Sequence, residues 1–150
     1  FKGEGKGAWL TRDKSVVEKY QADEKCNYIF TLNGFQNLLY LMKHTFDKKR
    51  YLMQNPDLPI RFIAGGDDPV IGDELKWLHC IEFLRERSYK NVSGKLYEGM
   101  RHEIHNEQGK ETVFEDVLSF VREITRNWWK MDEKIDKNRG KVLTFPKCRV

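Results

Sequence analysis

Apolar positions change their period several times along this chain, and each change marks an element. Val16, Val17 and Tyr20 fall on one side of a short helix that Asp13 caps. After a polar stretch around Asp23 to Asn27, residues Phe35, Leu38, Leu39, Met42 and Phe46 recur at helical spacing, and Pro56 and Pro59 punctuate the exit. From Leu58 the character shifts. Ile60-Arg61-Phe62-Ile63-Ala64 is a short apolar run closed by Gly65-Gly66, the pattern of a buried strand. Asp73 then caps a helix with Leu75, Leu78, Ile81 and Leu84 on its expected inner face. Val92 to Tyr97 alternates and ends at Glu98-Gly99, predicting a second strand. Thr112-Val113-Phe114-Glu115 reads as a capping box opening a helix whose buried side holds Val113, Val117, Val121, Ile124 and Trp128.

Strand, helix, strand, helix predicts two parallel strands joined by a right-handed crossover. Two such strands leave edges and a sheet face uncovered, whereas parallel sheets are normally covered on both faces. The second half of the chain is therefore expected to complete its sheet with a missing N-terminal half, a second chain or a domain-swapped homo-oligomer. Three stretches are expected: residues 1–50, 51–129 and 130–150. The first opens on the glycine-rich Phe1 to Gly7, a loop or the cut edge of something longer. The last is charged apart from Val142-Leu143-Thr144-Phe145 and is either a disordered tail or a strap over the core.

Composition narrows the class. A 150-residue chain with 39% hydrophobic and 13% aromatic residues can build one packed core. Its 27 basic and 23 acidic residues are mixed along the sequence, so the net charge of +4 reads as a solvated surface rather than a nucleic-acid footprint. No apolar run approaches the roughly 20 residues of a membrane span. Cys26, Cys80 and Cys148 are odd in number and far apart, which argues against a disulfide framework and for a reduced, cytoplasmic protein.

The chemistry gathers in two phrases, Gly65-Gly66-Asp67-Asp68-Pro69-Val70 and Gly99-Met100-Arg101-His102-Glu103-Ile104. Each follows a strand and precedes a helical pattern, so an acid and a histidine stand at the ends of successive strands, where open α/β sheets bind ligands. That order is the second half of a Ser…Asp…His constellation, and the chain contains no Gly-x-Ser-x-Gly. Asp68, followed by Pro69, is the better acid of the adjacent pair; the competing reading makes Asp67 and Asp68 turn residues. His102 with His105 forms His-x-x-His, but a zinc site requires further ligands, and His105 is expected to pack beside His102. Cys80 is read as an apolar filler and Trp128-Trp129 as helix-end packing.

The stretch Leu58 to Val70 resembles the acid-bearing strand and loop of the α/β-hydrolase fold. Lys95 to Glu107, including the Glu five residues after His102, is similar to the histidine loop of one branch of that fold. This branch comprises serine hydrolases similar to monoacylglycerol lipases, lysophospholipases and so-called serine aminopeptidases. Val113 to Arg122 resembles the terminal helix, and Trp9 to Phe35 the helical cap over the substrate pocket. The resemblance implies an α/β fold of which the chain is the C-terminal portion, with the N-terminal sheet, nucleophile elbow and oxyanion hole absent. It implies Asp68 as triad acid, His102 as general base and acid, no metal or organic cofactor, and an acyl ester or lysophospholipid as small-molecule substrate. The cap residues Phe30, Phe35, Leu38, Leu39 and Met42 either line an acyl pocket or pack the cap. None of Ser15, Ser88, Ser93 and Ser119 stands in an elbow context. The chain alone is thus expected to be inactive, with a non-catalytic interaction module as the alternative.

Overall fold

The structure, a computed structural model, describes residues 1, 3–26, 28–51 and 53–139, with side chains described up to residue 126. Contacts divide the chain into two units, Phe1–Lys110 and Glu111–Val150. The Val142–Phe145 patch and Cys148 lie outside the described residues, as do the side chains of Trp128 and Trp129.

In the first unit, α1 (Lys14–Ala22) starts where Asp13 accepts the Ser15 N–H at 2.9 Å, and Val16, Val17 and Tyr20 are half-buried along it. Helix α2 (Leu32–Thr45) starts at Thr31, whose hydroxyl accepts the Gly34 N–H at 3.1 Å. Its apolar residues Phe35, Leu38, Leu39 and Met42 are all exposed. Phe46, just past its end, meets the Phe83 ring edge-on at 5.3 Å.

Strands β1 (Ile60–Gly65) and β2 (Val92–Tyr97) pair in parallel, with Ile60 opposite Val92 and Gly65 opposite Tyr97. Helix α3 (Glu74–Arg85) connects them, capped by Asp73, which accepts the Lys76 N–H at 2.8 Å. Because side chains alternate along a strand, Ile60, Phe62, Ala64, Val92 and Leu96 share one sheet face. They pack with Trp77 and Ile81 of α3 into the core. The inner face of α3 is therefore Trp77, Ile81 and half-buried Leu84. Leu75 and Leu78, expected on that face, are exposed. Gly94 explains the shift: it lies opposite Phe62, and a Cβ there would overlap the side chains of Trp77 and Ile81. The bulky indole occupies the space that a larger strand residue would fill. The half-buried Cys80 contributes less to the core than a buried filler would. Among the described residues the sheet has two strands.

The second unit is carried by α4 (Lys110–Arg139). It starts ahead of the expected capping box because Gly109, at φ +84°, turns the chain immediately before Lys110; Thr112 is then inside the first turn. Val113 is buried, but Val117 and Val121, expected beside it, are exposed. The helix also runs further than the apolar spacing indicates, reaching Arg139 across a stretch without glycine or proline. Among the described residues no helix is long and apolar enough to cross a membrane.

The packing of α3 over Gly94 sets a direct test of the fold. Gly94→Ala is expected to destabilise the chain by about 1–3 kcal/mol, as overpacking does, measured by urea denaturation followed by circular dichroism. An unchanged midpoint would contradict this packing.

Candidate active site

Two loops leave the C-terminal ends of β1 and β2 and run against each other. Gly66 N–H donates to the Tyr97 carbonyl at 2.8 Å, and Asp67 N–H donates to the Met100 carbonyl at 2.9 Å. Gly65 makes the approach possible, because a Cβ there would overlap the carbonyl oxygens of Met100 and Arg101. On the opposing loop, Gly99 turns the chain at φ +71°, a conformation that glycine adopts without steric cost.

This approach brings Asp68 and His102 together. The Asp68 side chain turns inward and is 6% exposed, while the neighbouring Asp67 is exposed. One Asp68 oxygen, Oδ1, accepts the Val70 N–H at 2.8 Å, which fixes the carboxylate; the other, Oδ2, lies 2.9 Å from His102 Nδ1. An ionised carboxylate only accepts, so the proton of this bond belongs to Nδ1, and in the neutral imidazole Nε2 carries the lone pair. Among the described residues Nε2 has no hydrogen-bond partner, and the imidazole is 39% exposed. The Trp9 indole flanks the ring, with centroids 5.0 Å apart and planes tilted by 43°.

Trp9 to Arg12, expected at the start of the cap piece, runs along the histidine loop. Trp9 and Leu10 carbonyls accept the His102 and Glu103 N–H groups at 3.3 and 2.7 Å. Thr11, 1% exposed, donates its hydroxyl to the Asn106 carbonyl at 3.1 Å. The Arg101 guanidinium donates to the Ala8 carbonyl at 2.6 Å and pairs with Glu4.

Glu107 closes the loop. Its carboxylate is fully buried and accepts Arg101 N–H, Arg12 N–H and Arg12 Nε–H, each at 3.0 Å. Burial by itself raises the pKa of this group. The Arg101 N–H and both Arg12 donors outweigh it and hold Glu107 below the ordinary glutamate range. The roles of Trp9, Arg12 and Glu107 went unread at the level of sequence. The signal available was the fixed offset of Glu107 from His102, since spacing alone does not reveal which distant segment a buried acid will bind.

Other candidate residues stand elsewhere. His105, exposed in a short 3-10 turn over Ile104–Asn106, forms no hydrogen bond or ring contact with His102 among the described residues. Cys80, read above as an apolar filler, lies on α3. No group of three or more His, Cys, Asp or Glu side chains gathers among the described residues in a way that would hold a metal ion.

A family model described as serine aminopeptidase, S33, matches residues 1–109, a span that includes both strands, Asp68, His102 and Glu107. No curated protein matches the chain.

The buried Glu107 has a consequence for acid stability. Its pKa is lower folded than unfolded, so its contribution is fully present above the unfolded value of about 4.3 and is lost as pH falls through the folded value. Stability measured by denaturant unfolding is expected to drop with pH across that window. The drop should be smaller in Glu107→Gln; parallel acid limbs in the two proteins would contradict the assignment.

Proposed function

Because this chain belongs to the serine aminopeptidase, S33, family of α/β-hydrolases, we propose that it supplies the acid and the histidine of a serine hydrolase triad. The observation that carries the reading is the 2.9 Å bond between His102 Nδ1 and the buried Asp68 carboxylate, made with Nε2 unpartnered among the described residues. Asp68 orients the ring, holds the proton on Nδ1 and stabilises the imidazolium once it forms. His102 Nε2 takes the proton from a serine Oγ as that oxygen bonds the acyl carbon, and returns it to the leaving group as the scissile bond breaks. Water then attacks the acyl-enzyme, again giving its proton to Nε2, and the serine oxygen leaves with that proton.

The serine comes from outside these residues, from an N-terminal half of the same fold; a homo-oligomer partner could complete the sheet but carries only the same four serines. Two features support this. Ser15 Oγ is bound to Asp13 at 2.7 Å, Ser93 Oγ lies beside Arg61 and the Ile60 carbonyl, and Ser88 sits past the end of α3. The sheet also has only two strands among the described residues, too few for a free-standing parallel sheet. The substrate class we propose is a carboxylic ester: a monoacylglycerol, a lysophospholipid or a simple acyl ester. The family description names an aminopeptidase, and an amide passes through the same acyl-enzyme.

A second reading, a non-catalytic interaction module, is favoured by the absence of any hydrogen bond between a serine and His102 among the described residues. One experiment separates the two. The chain is expressed together with the coding segment that precedes it in frame, and hydrolysis of p-nitrophenyl butyrate, a monoacylglycerol and an aminoacyl-p-nitroanilide is compared. Ester turnover is expected, with Asp68→Asn and His102→Ala each lowering kcat by roughly 10³–10⁴-fold. Variants that turn over like the parent would overturn the triad, and preferred cleavage of the anilide would overturn the ester. A monomer that unfolds cooperatively and hydrolyses nothing would establish the interaction module.

A further inference from the structure

We infer that Glu107 is a positioning residue for His102: its buried carboxylate clamps the backbone on which the histidine is mounted to the Trp9–Arg12 segment. The inference rests on the reading of His102 as the general base and deepens it.

The histidine loop needs an internal fixture. It is bounded by two glycines in the left-handed region, Gly99 at φ +71° and Gly109 at φ +84°, and contains only one short 3-10 turn. Neither boundary holds the loop by side-chain packing. Glu107 does so from within. Its Oε1 accepts both the Arg12 N–H and the Arg101 N–H at 3.0 Å, so one oxygen joins the backbones of two segments distant in sequence. Its Oε2 takes Arg12 Nε–H at 3.0 Å and the Gln108 N–H at 3.3 Å.

Arg101 immediately precedes His102. The N–H of Arg101 is thus held by Glu107, and the next N–H, that of His102, is held by the Trp9 carbonyl at 3.3 Å. The two anchors hold the two successive peptide planes that lead into His102. The far end of that side chain reaches Asp68 Oδ2, and the Trp9 ring lies beside it. Glu107 accordingly acts through His102, with no contact of its own to the imidazole among the described bonds.

The chemistry requires an ionised glutamate. Four N–H groups converge on it, and a carboxylate accepts all four. Glutamine is nearly isosteric but offers one acceptor oxygen and an NH₂ that would face N–H donors. The two donors on the oxygen that the NH₂ replaces would lose their partner, Arg12 Nε–H and Gln108 N–H where it replaces Oε2, and the loop would loosen there.

The test reads the imidazole directly and needs no substrate. In the chain expressed together with the coding segment that precedes it in frame and labelled with ¹⁵N-histidine, the His102 Nδ1 proton is followed as a low-field resonance, and its exchange with water is measured. Glu107→Gln is expected to speed that exchange by about tenfold or more, as follows from losing a hydrogen bond to a charged group. Slow amide exchange in β1 and β2 should be retained. A general loss of stability would instead move the strand amides together with the imidazole. Should Glu107→Gln fail to fold, Arg12→Gln removes one side-chain donor and leaves both backbone bonds; a smaller change in the same direction is then expected. An unchanged His102 signal in a folded variant overturns the clamp. Asp68→Asn separates the two readings: if it abolishes the signal while Glu107→Gln does not, the pairing stands and the clamp falls. If the signal is missing from the parent, or survives Asp68→Asn, the pairing itself falls and the clamp with it.

Discussion

The site depends on one close backbone approach, the meeting of the loops after β1 and β2 at Gly65. Parallel pairing places Gly65 opposite Tyr97, so both strands end at the same level and both loops emerge side by side. What remains is a steric condition, that nothing larger than hydrogen stand between Gly65 and the carbonyls of Met100 and Arg101. Once it is met, Gly66 and Asp67 bond across the gap and Asp68 is carried inward to Nδ1 of His102. A pairing between residues far apart in sequence thereby costs little ordering beyond what the sheet has already imposed. The same logic recurs at Gly94, where a missing side chain lets Trp77 of α3 seat on the sheet.

The acid–histidine pair sits between two kinds of support. Asp68 reaches the ring from the sheet side, as a buried carboxylate whose second oxygen is spent on the Val70 N–H. The backbone under the ring is held from the other side by Ala8 to Arg12, through the carbonyls of Trp9 and Leu10 and through Glu107. Burying the Glu107 charge is costly, and the geometry offsets that cost with donors from two segments. Among the described residues the result leaves one edge of the imidazole unpartnered, the edge on which proton transfer takes place in a serine hydrolase.

Much of this was legible in the sequence where local rules decide. Asp13 and Asp73 cap helices as their positions predict, and both strands fall where the apolar runs end in glycine. Legibility ended where tertiary contacts decide. Leu75 and Leu78 match the helical period of α3, yet the face is chosen by Trp77 fitting over Gly94, which no one-dimensional period contains. The start of α4 was misplaced because the positive φ of Gly109 competes with a good capping box. Glu107 was visible as part of a motif, but its partner Arg12 lies at the other end of the chain, and nothing in either local pattern connects them.

The central claim is that Asp68 and His102 serve a serine carried by a segment beyond these residues, and the most direct measurement is the coding sequence in frame upstream of Phe1. The account predicts a Gly-x-Ser-x-Gly there, following a strand-like apolar run and opening a helix. An initiation codon close to Phe1 with no such motif would contradict it, and the paired acid and histidine would then be scaffold in a protein that works by binding.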